Sequence, residues 1–192
     1  MRWLPLLFVC VTMTALAENP EKPRQQARSM VISQFGIVAT SQTLASEAGA
    51  QILEAGGNAV DAAIAANAAL GLVEPASNGI GGDLFAIVYE AKTGKLHGLN
   101  ASGWAPTGLT IDFLKAKGNK AMPALGIYSV TVPGAVAGWD ALRRKFGTMP
   151  FSKILASAIY YAEKGFPVTE IIASRWRAPW RMCTPEMSCT AI

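Results

Sequence analysis

Few side chains in this sequence are equipped for chemistry, and the densest collection lies in residues 56–85, GGNAVDAAIAANAALGLVEPASNGIGGDLF. Its glycine loop, Gly79-Ile80-Gly81-Gly82-Asp83, can turn backbone N–H groups toward an anion or an oxyanion with no side chain in the way. The same glycines can equally serve only to turn the chain tightly. A phosphate-binding reading fails on element order, because such loops follow a strand and open a helix. This one follows a predicted helix and opens a predicted strand, and no Gly-Lys-Ser or Gly-Lys-Thr follows it. Asp61 stands in the first turn of that helix, where an acid caps. Glu74, beside Pro75, reads as a loop carboxylate, with amine binding as the alternative use. His97 is the only histidine; with no serine or cysteine partner identifiable, it reads as a structural or surface residue rather than a general base. Cys183 and Cys189 form a disulfide or remain free thiols, and neither their spacing nor any histidine makes a zinc site. No nucleophile, base and orienting group can be assembled, so no catalytic residue is assigned.

The elements that must hold these groups can be read from spacing. Gly56-Gly57 stops one helix, Asn58 caps the next, and seven alanines over 59–73 predict a helix apolar on nearly every side and therefore buried. Before it, residues 30–39 read as a pair of short strands bent at Gly36. A helix then runs to about Ala55, capped by Ser41 or Thr43, burying Leu44, Ala48, Ile52 and Ala55. After the glycine loop, 84–89 and 96–101 read as a hairpin turning at Lys92-Thr93-Gly94-Lys95. A short helix over 112–117 starts from Thr110, and 127–132 reads as a strand ended by Pro133-Gly134. Three helices follow. One covers 135–146 with Val136, Trp139, Asp140 and Arg143 at helical spacing. The next runs from Pro150 or Ser152 to Lys164, with Ile154, Leu155, Ala158, Ile159 and Ala162 as its stripe. The last spans 170 to about 177. Many helices on few strands predict an α/β class with helices layered on a sheet.

Residues 1–17 have the form of a signal peptide, with Arg2, an apolar run over 3–11 and an Ala15-Leu16-Ala17 cleavage site. Export to a periplasmic or extracellular compartment is therefore expected. The apolar run is too short for a stable membrane span. Residues 18–29 read as a polar linker. Hydrophobic content of 51% against 16% charged excludes disorder. The net charge of +4 is not gathered into a stripe with interleaved aromatics, so a nucleic-acid partner is not expected.

Five segments together carry a family resemblance: LASEAG over 44–49, GGNAVDAAIAA over 56–66, GIGGDLF over 79–85, VPGAVAGWDALRRKFG over 132–147 and AEKGFPV over 162–168. In this order they resemble the front of the large subunit of the γ-glutamyltranspeptidase (glutathione hydrolase) family, over residues 30–177. The resemblance implies part of a four-layer αββα N-terminal nucleophile hydrolase fold. It also implies exported precursors that cleave into a large and a small subunit. The small subunit's N-terminal threonine takes the γ-glutamyl group of glutathione and passes it to water or an amine, with its own α-amine as base. No cofactor or metal is implied; glutathione or γ-glutamyl compounds and the small subunit are the implied partners. That threonine is not among the segments matched, so the chain alone is expected to be inactive.

The family's arginine for the donor carboxylate lies in an Arg-Glu-x-Ala-Pro segment. Aligned on Ala105-Pro106, its position is Ser102, with Gly103 at the glutamate and Trp104 next. A serine cannot supply the bidentate charged pairing. Hence an acylase-like relative acting on other amides is the alternative, alongside a non-enzymatic exported binding fragment. Residues 178–192 read as an atypical tail, with a shifted or truncated reading frame as the expected cause.

Overall fold

The computed structural model describes residues 30–182 apart from residue 125, and the side chains only as far as residue 176. The predicted signal peptide, most of the linker, Cys183 and Cys189 lie outside the described residues. The chain divides into two units, Met1–Ile32 and Ser33–Ile192, and the elements below belong to the second.

Helix α2 (Ala59–Val73) is the centre of the core. Its start follows from a capping box: Asn58 Oδ1 accepts from the Val60 and Asp61 amides, and Asp61 accepts from the Asn58 amide. The alanines let α1 (Thr43–Glu54) and α6 (Ala156–Lys164) pack closely against it. Ile64, Val73 and Ile154 are fully enclosed, and burying each such side chain stabilises the fold by about 1.5–3 kcal/mol. The expectation that α2 is covered on every side does not hold. Ala63 is exposed, and Ala59, Ala62, Ala63 and Ala66 border an open groove with residues 35–40.

Strands β1 (Leu84–Glu90) and β2 (Lys95–Ala101) form the predicted antiparallel hairpin, with Leu84 opposite Ala101 and Glu90 opposite Lys95. Gly94, at φ 67°, takes the left-handed position of the turn. Leu84, Ala86, Val88 and Leu99 face the helices. Phe85, Ile87, Tyr89 and Leu96 are exposed on the other face. Among the described residues, then, the α/β arrangement consists of helices on one face of a two-stranded sheet. Helices α3 (Ile111–Ala116), α4 (Ala135–Phe146), α5 (Phe151–Ile154) and α7 (Glu170–Met182) complete the elements.

Several expectations need correction. Residues 30–39 form no strands, and 127–132 holds a 3₁₀ turn, Ile127–Ser129, in place of a strand. Both segments have β-branched content, but a strand requires a ladder, and neither is paired in the one sheet described. The cap of α1 is Gln42, whose side chain accepts from the Leu44 amide, while Ser41 is drawn off to Glu74. The buried face of α1 is Ala45, Ala48, Gly49 and Ile52; Ala55 is exposed. Val136 and Ile159 are half exposed, and α4 instead buries Ala135, Gly138, Trp139 and Leu142. The predicted helix over 150–164 is interrupted at Leu155, and α7 continues past Arg177 to Met182.

Candidate functional site

Three loops converge where β1 begins, β2 ends and α4 begins. The glycine loop contributes acceptors to this meeting. The Gly82 carbonyl accepts from the amides of Gly134 and Ala135, both at 3.0 Å. Asp83 Oδ1 accepts from the Gly103 amide at 3.0 Å and from the Thr131 hydroxyl at 3.1 Å. The segment after β2 is further fixed by the Val132 amide, which donates to the Trp104 carbonyl at 3.1 Å. Ser102 donates its amide to Asn100 Oδ1 at 2.9 Å, closing a tight local turn.

Backbone here meets backbone. A Cβ on Gly103 would sit 1.4 Å from the Val132 carbonyl oxygen, and one on Gly134 would sit 2.1 Å from that of Ala101. Only glycine fits at either position without moving the chain. Asp83 is held below the usual carboxylate range, chiefly by the Gly103 amide, against an opposing effect of desolvation and with the Thr131 and Ser102 hydroxyls adding to the lowering. Its charge has no cationic partner within ion-pair distance among the described residues.

On one side of this junction lies an open cleft of about 410 Å³, bordered by the glycine loop, Asn67, Gly71 and Trp139. Trp139 is buried and donates its indole N–H to Asn67 Oδ1 at 2.8 Å, tying α4 to α2. On the other side is a hollow of about 310 Å³ bordered by Ser102, Trp104, Val132 and the start of α4. Ser102 is exposed and Trp104 is 86% exposed.

Of the two uses open to the glycine loop, the tight turn is the one seen, and it also anchors neighbouring loops. Its Gly82 amide turns back to the Gly79 carbonyl at 3.4 Å, and its contacts to the neighbouring loops are made by a carbonyl and a carboxylate. Asp61 is a cap, as expected, and also a buried hub for the turn at Thr148. Glu74 is a loop carboxylate accepting from Ser41. His97 lies in β2 between Glu90 and Lys145, each at 3.4 Å, with its ring against Phe146. No hydroxyl among the described residues hydrogen-bonds to it. No three His, Cys, Asp or Glu side chains among the described residues cluster as a metal site, and no described helix is long and apolar enough to cross a membrane. From sequence, Asp83 has no role beyond closing the glycine loop, and Trp139 is not paired with Asn67. The signal available for Asp83 was one acid closing a glycine run at a strand entrance; nothing local marks Asn67 as Trp139's partner.

The pattern defining the family described as Gamma-glutamyltranspeptidase matches residues 45–190. The chain belongs to this family. The match runs into the segment 178–192 that the sequence pattern set apart. The glutathione hydrolase proenzyme of Bacillus subtilis is 37% identical over 163 residues, which are 83% of this chain and 28% of that protein. The γ-glutamyltranspeptidase of Helicobacter pylori superposes with a TM-score of 0.75 at 35% identity, over 83% of this chain and 46% of that one. A cephalosporin acylase from Bacillus halodurans superposes at 0.72 with 46% identity, over 85% of this chain and 32% of that one. The chain thus spans 28% of that curated glutathione hydrolase. Its fold class is that of the N-terminal nucleophile hydrolases of this family, α/β with helices against a sheet.

Proposed function

We propose that this chain supplies the scaffold and the donor-side wall of an exported amide-cleaving enzyme of the N-terminal nucleophile type. In that reading the nucleophile is the threonine of the family's small subunit. Its hydroxyl attacks the amide carbonyl and passes its proton through its own α-amine to the leaving amine. Water or an acceptor amine then releases the acyl group. The chain alone is inactive.

The observation that carries this reading is the junction of the three loops. Asp83 fixes residues 102–104, the segment aligned with the family's donor-binding residues, and its carboxylate is engaged by the Gly103 amide and the Thr131 hydroxyl. The γ-glutamyl group of glutathione is the donor the family resemblance suggests. A second reading, an acylase acting on other amides, is favoured by Ser102. A neutral hydroxyl next to the ionised Asp83 offers a donor carboxylate no countercharge.

The test uses p-nitroanilides. The purified 192-residue chain is expected to release no p-nitroaniline from γ-glutamyl, glutaryl or phenylacetyl anilides. Release is expected once the chain replaces the matching residues of the Bacillus halodurans acylase. Turnover by the isolated chain would overturn the scaffold reading. Turnover of the γ-glutamyl anilide above the other two would overturn the acylase reading.

A further inference from the structure

We infer that the hollow beside Ser102 receives an uncharged acyl group, stacked on Trp104, and rejects acyl groups that carry a carboxylate. This assignment deepens the amide-cleaving reading above and rests on it.

The hollow has a volume of about 310 Å³, at the small end of the ~300–1,000 Å³ range of small-molecule sites. Leu99, Trp104, Val132, Ala137 and Ala141 give it apolar walls, Ser102 gives it a hydroxyl, and no charged side chain borders it. Trp104, at 86% exposure, presents most of its ring to solvent. An indole left in water gains from covering by an apolar or aromatic group. The backbone beneath it is fixed, because its carbonyl is held by the Val132 amide and its neighbour Gly103 by Asp83. A platform ordered before binding loses little entropy when it is occupied.

Charge sets the preference. An ionised group, Asp83, hydrogen-bonds the backbone one residue from Ser102 and has no cation paired to it among the described residues. A donor carboxylate brought to Ser102 would meet this negative charge with nothing to neutralise it. An ammonium would be attracted by the charge that repels a carboxylate, so the discrimination lies between uncharged and carboxylate-bearing groups. An uncharged group meets neither repulsion nor a desolvation penalty.

The experiment follows the Gly103 amide and Trp104 indole signals of the ¹⁵N-labelled full chain during titration with three amides. Phenylacetamide is uncharged, glutaramate anionic and glutamine zwitterionic. Phenylacetamide is expected to shift both signals saturably and to bind at least tenfold more tightly than each of the others. Trp104→Ala should remove its binding while leaving the Gly103 signal in place, and Ser102→Arg should turn the preference toward glutaramate. Equal or tighter binding of glutaramate or glutamine would overturn the assignment, as would no saturable shift with any probe. The acyl-transfer reading fails on a different measurement: an assembled enzyme that releases no p-nitroaniline from any anilide sinks it, whatever the binding titrations give.

Discussion

Asp61 and Asp83 each join segments far apart in sequence, and each accepts hydrogen bonds from a backbone amide and a threonine hydroxyl. Asp61 binds the Thr148 amide at 3.0 Å and its hydroxyl at 2.6 Å. Asp83 binds the Gly103 amide at 3.0 Å and the Thr131 hydroxyl at 3.1 Å. The solvent differs. Asp61 is 0% exposed at the start of α2, whereas Asp83 lies in water beside the candidate site. A buried acceptor that is removed leaves donors with no substitute, while water replaces an exposed one. The first aspartate therefore holds the fold together, and the second sets the local shape of a binding surface.

Four experiments break or sharpen this contrast. Asp61→Ala should destabilise the chain by about 3–4 kcal/mol in urea unfolding, because it removes a fully buried acceptor from the part-buried amides of Asn58, Thr148 and Met149. A loss below about 1 kcal/mol would mean that water enters there and that the two sites are alike. Gly103→Ala should cost about 1–3 kcal/mol through the collision with the Val132 carbonyl. Wild-type stability in that variant would show that the two segments separate freely.

Trp139→Phe should cost about 1 kcal/mol, and a double-mutant cycle with Asn67→Ala should return a coupling of similar size. No coupling would leave Trp139 as packing alone. The smallest global effect is expected at Asp83. Asp83→Ala should leave the urea midpoint in place yet move the Gly103 amide resonance.

The same resonance tests the pH dependence. Asp83 has a folded value lowered below the unfolded one, so its contribution is present above the unfolded carboxylate value and is lost as pH falls through the lowered folded one. The wild-type Gly103 signal should therefore hold steady from neutral pH and move only in that acid window. Movement near neutrality would exclude Asp83 as its partner.

Local rules were legible and long-range ones were not. The Asn58–Asp61 capping box, the hairpin with its turn at Gly94 and the Thr110 cap each depend on residues within a few positions of one another. Residues 127–132 were misread because β-branched content signals a fit to a sheet, and the sheet must be present for the signal to hold. Gln42 replaced Ser41 as a cap because Ser41 found Glu74, a partner 33 positions away. The candidate site lay half in view. Motif alignment reached Ser102, Gly103 and Trp104, but the carboxylate that fixes them comes from a different loop, 20 positions from Gly103.

Gly103 also bears on how such a site can change over generations. Any side chain introduced there meets the Val132 carbonyl before it meets solvent. An acidic residue at 103 is therefore out of reach by one substitution unless the backbone of residues 131–133 has already shifted. Position 102 is exposed, so a charge can be introduced there alone. The two positions differ in kind: the first accepts a new side chain as it stands, the second only after its neighbour moves.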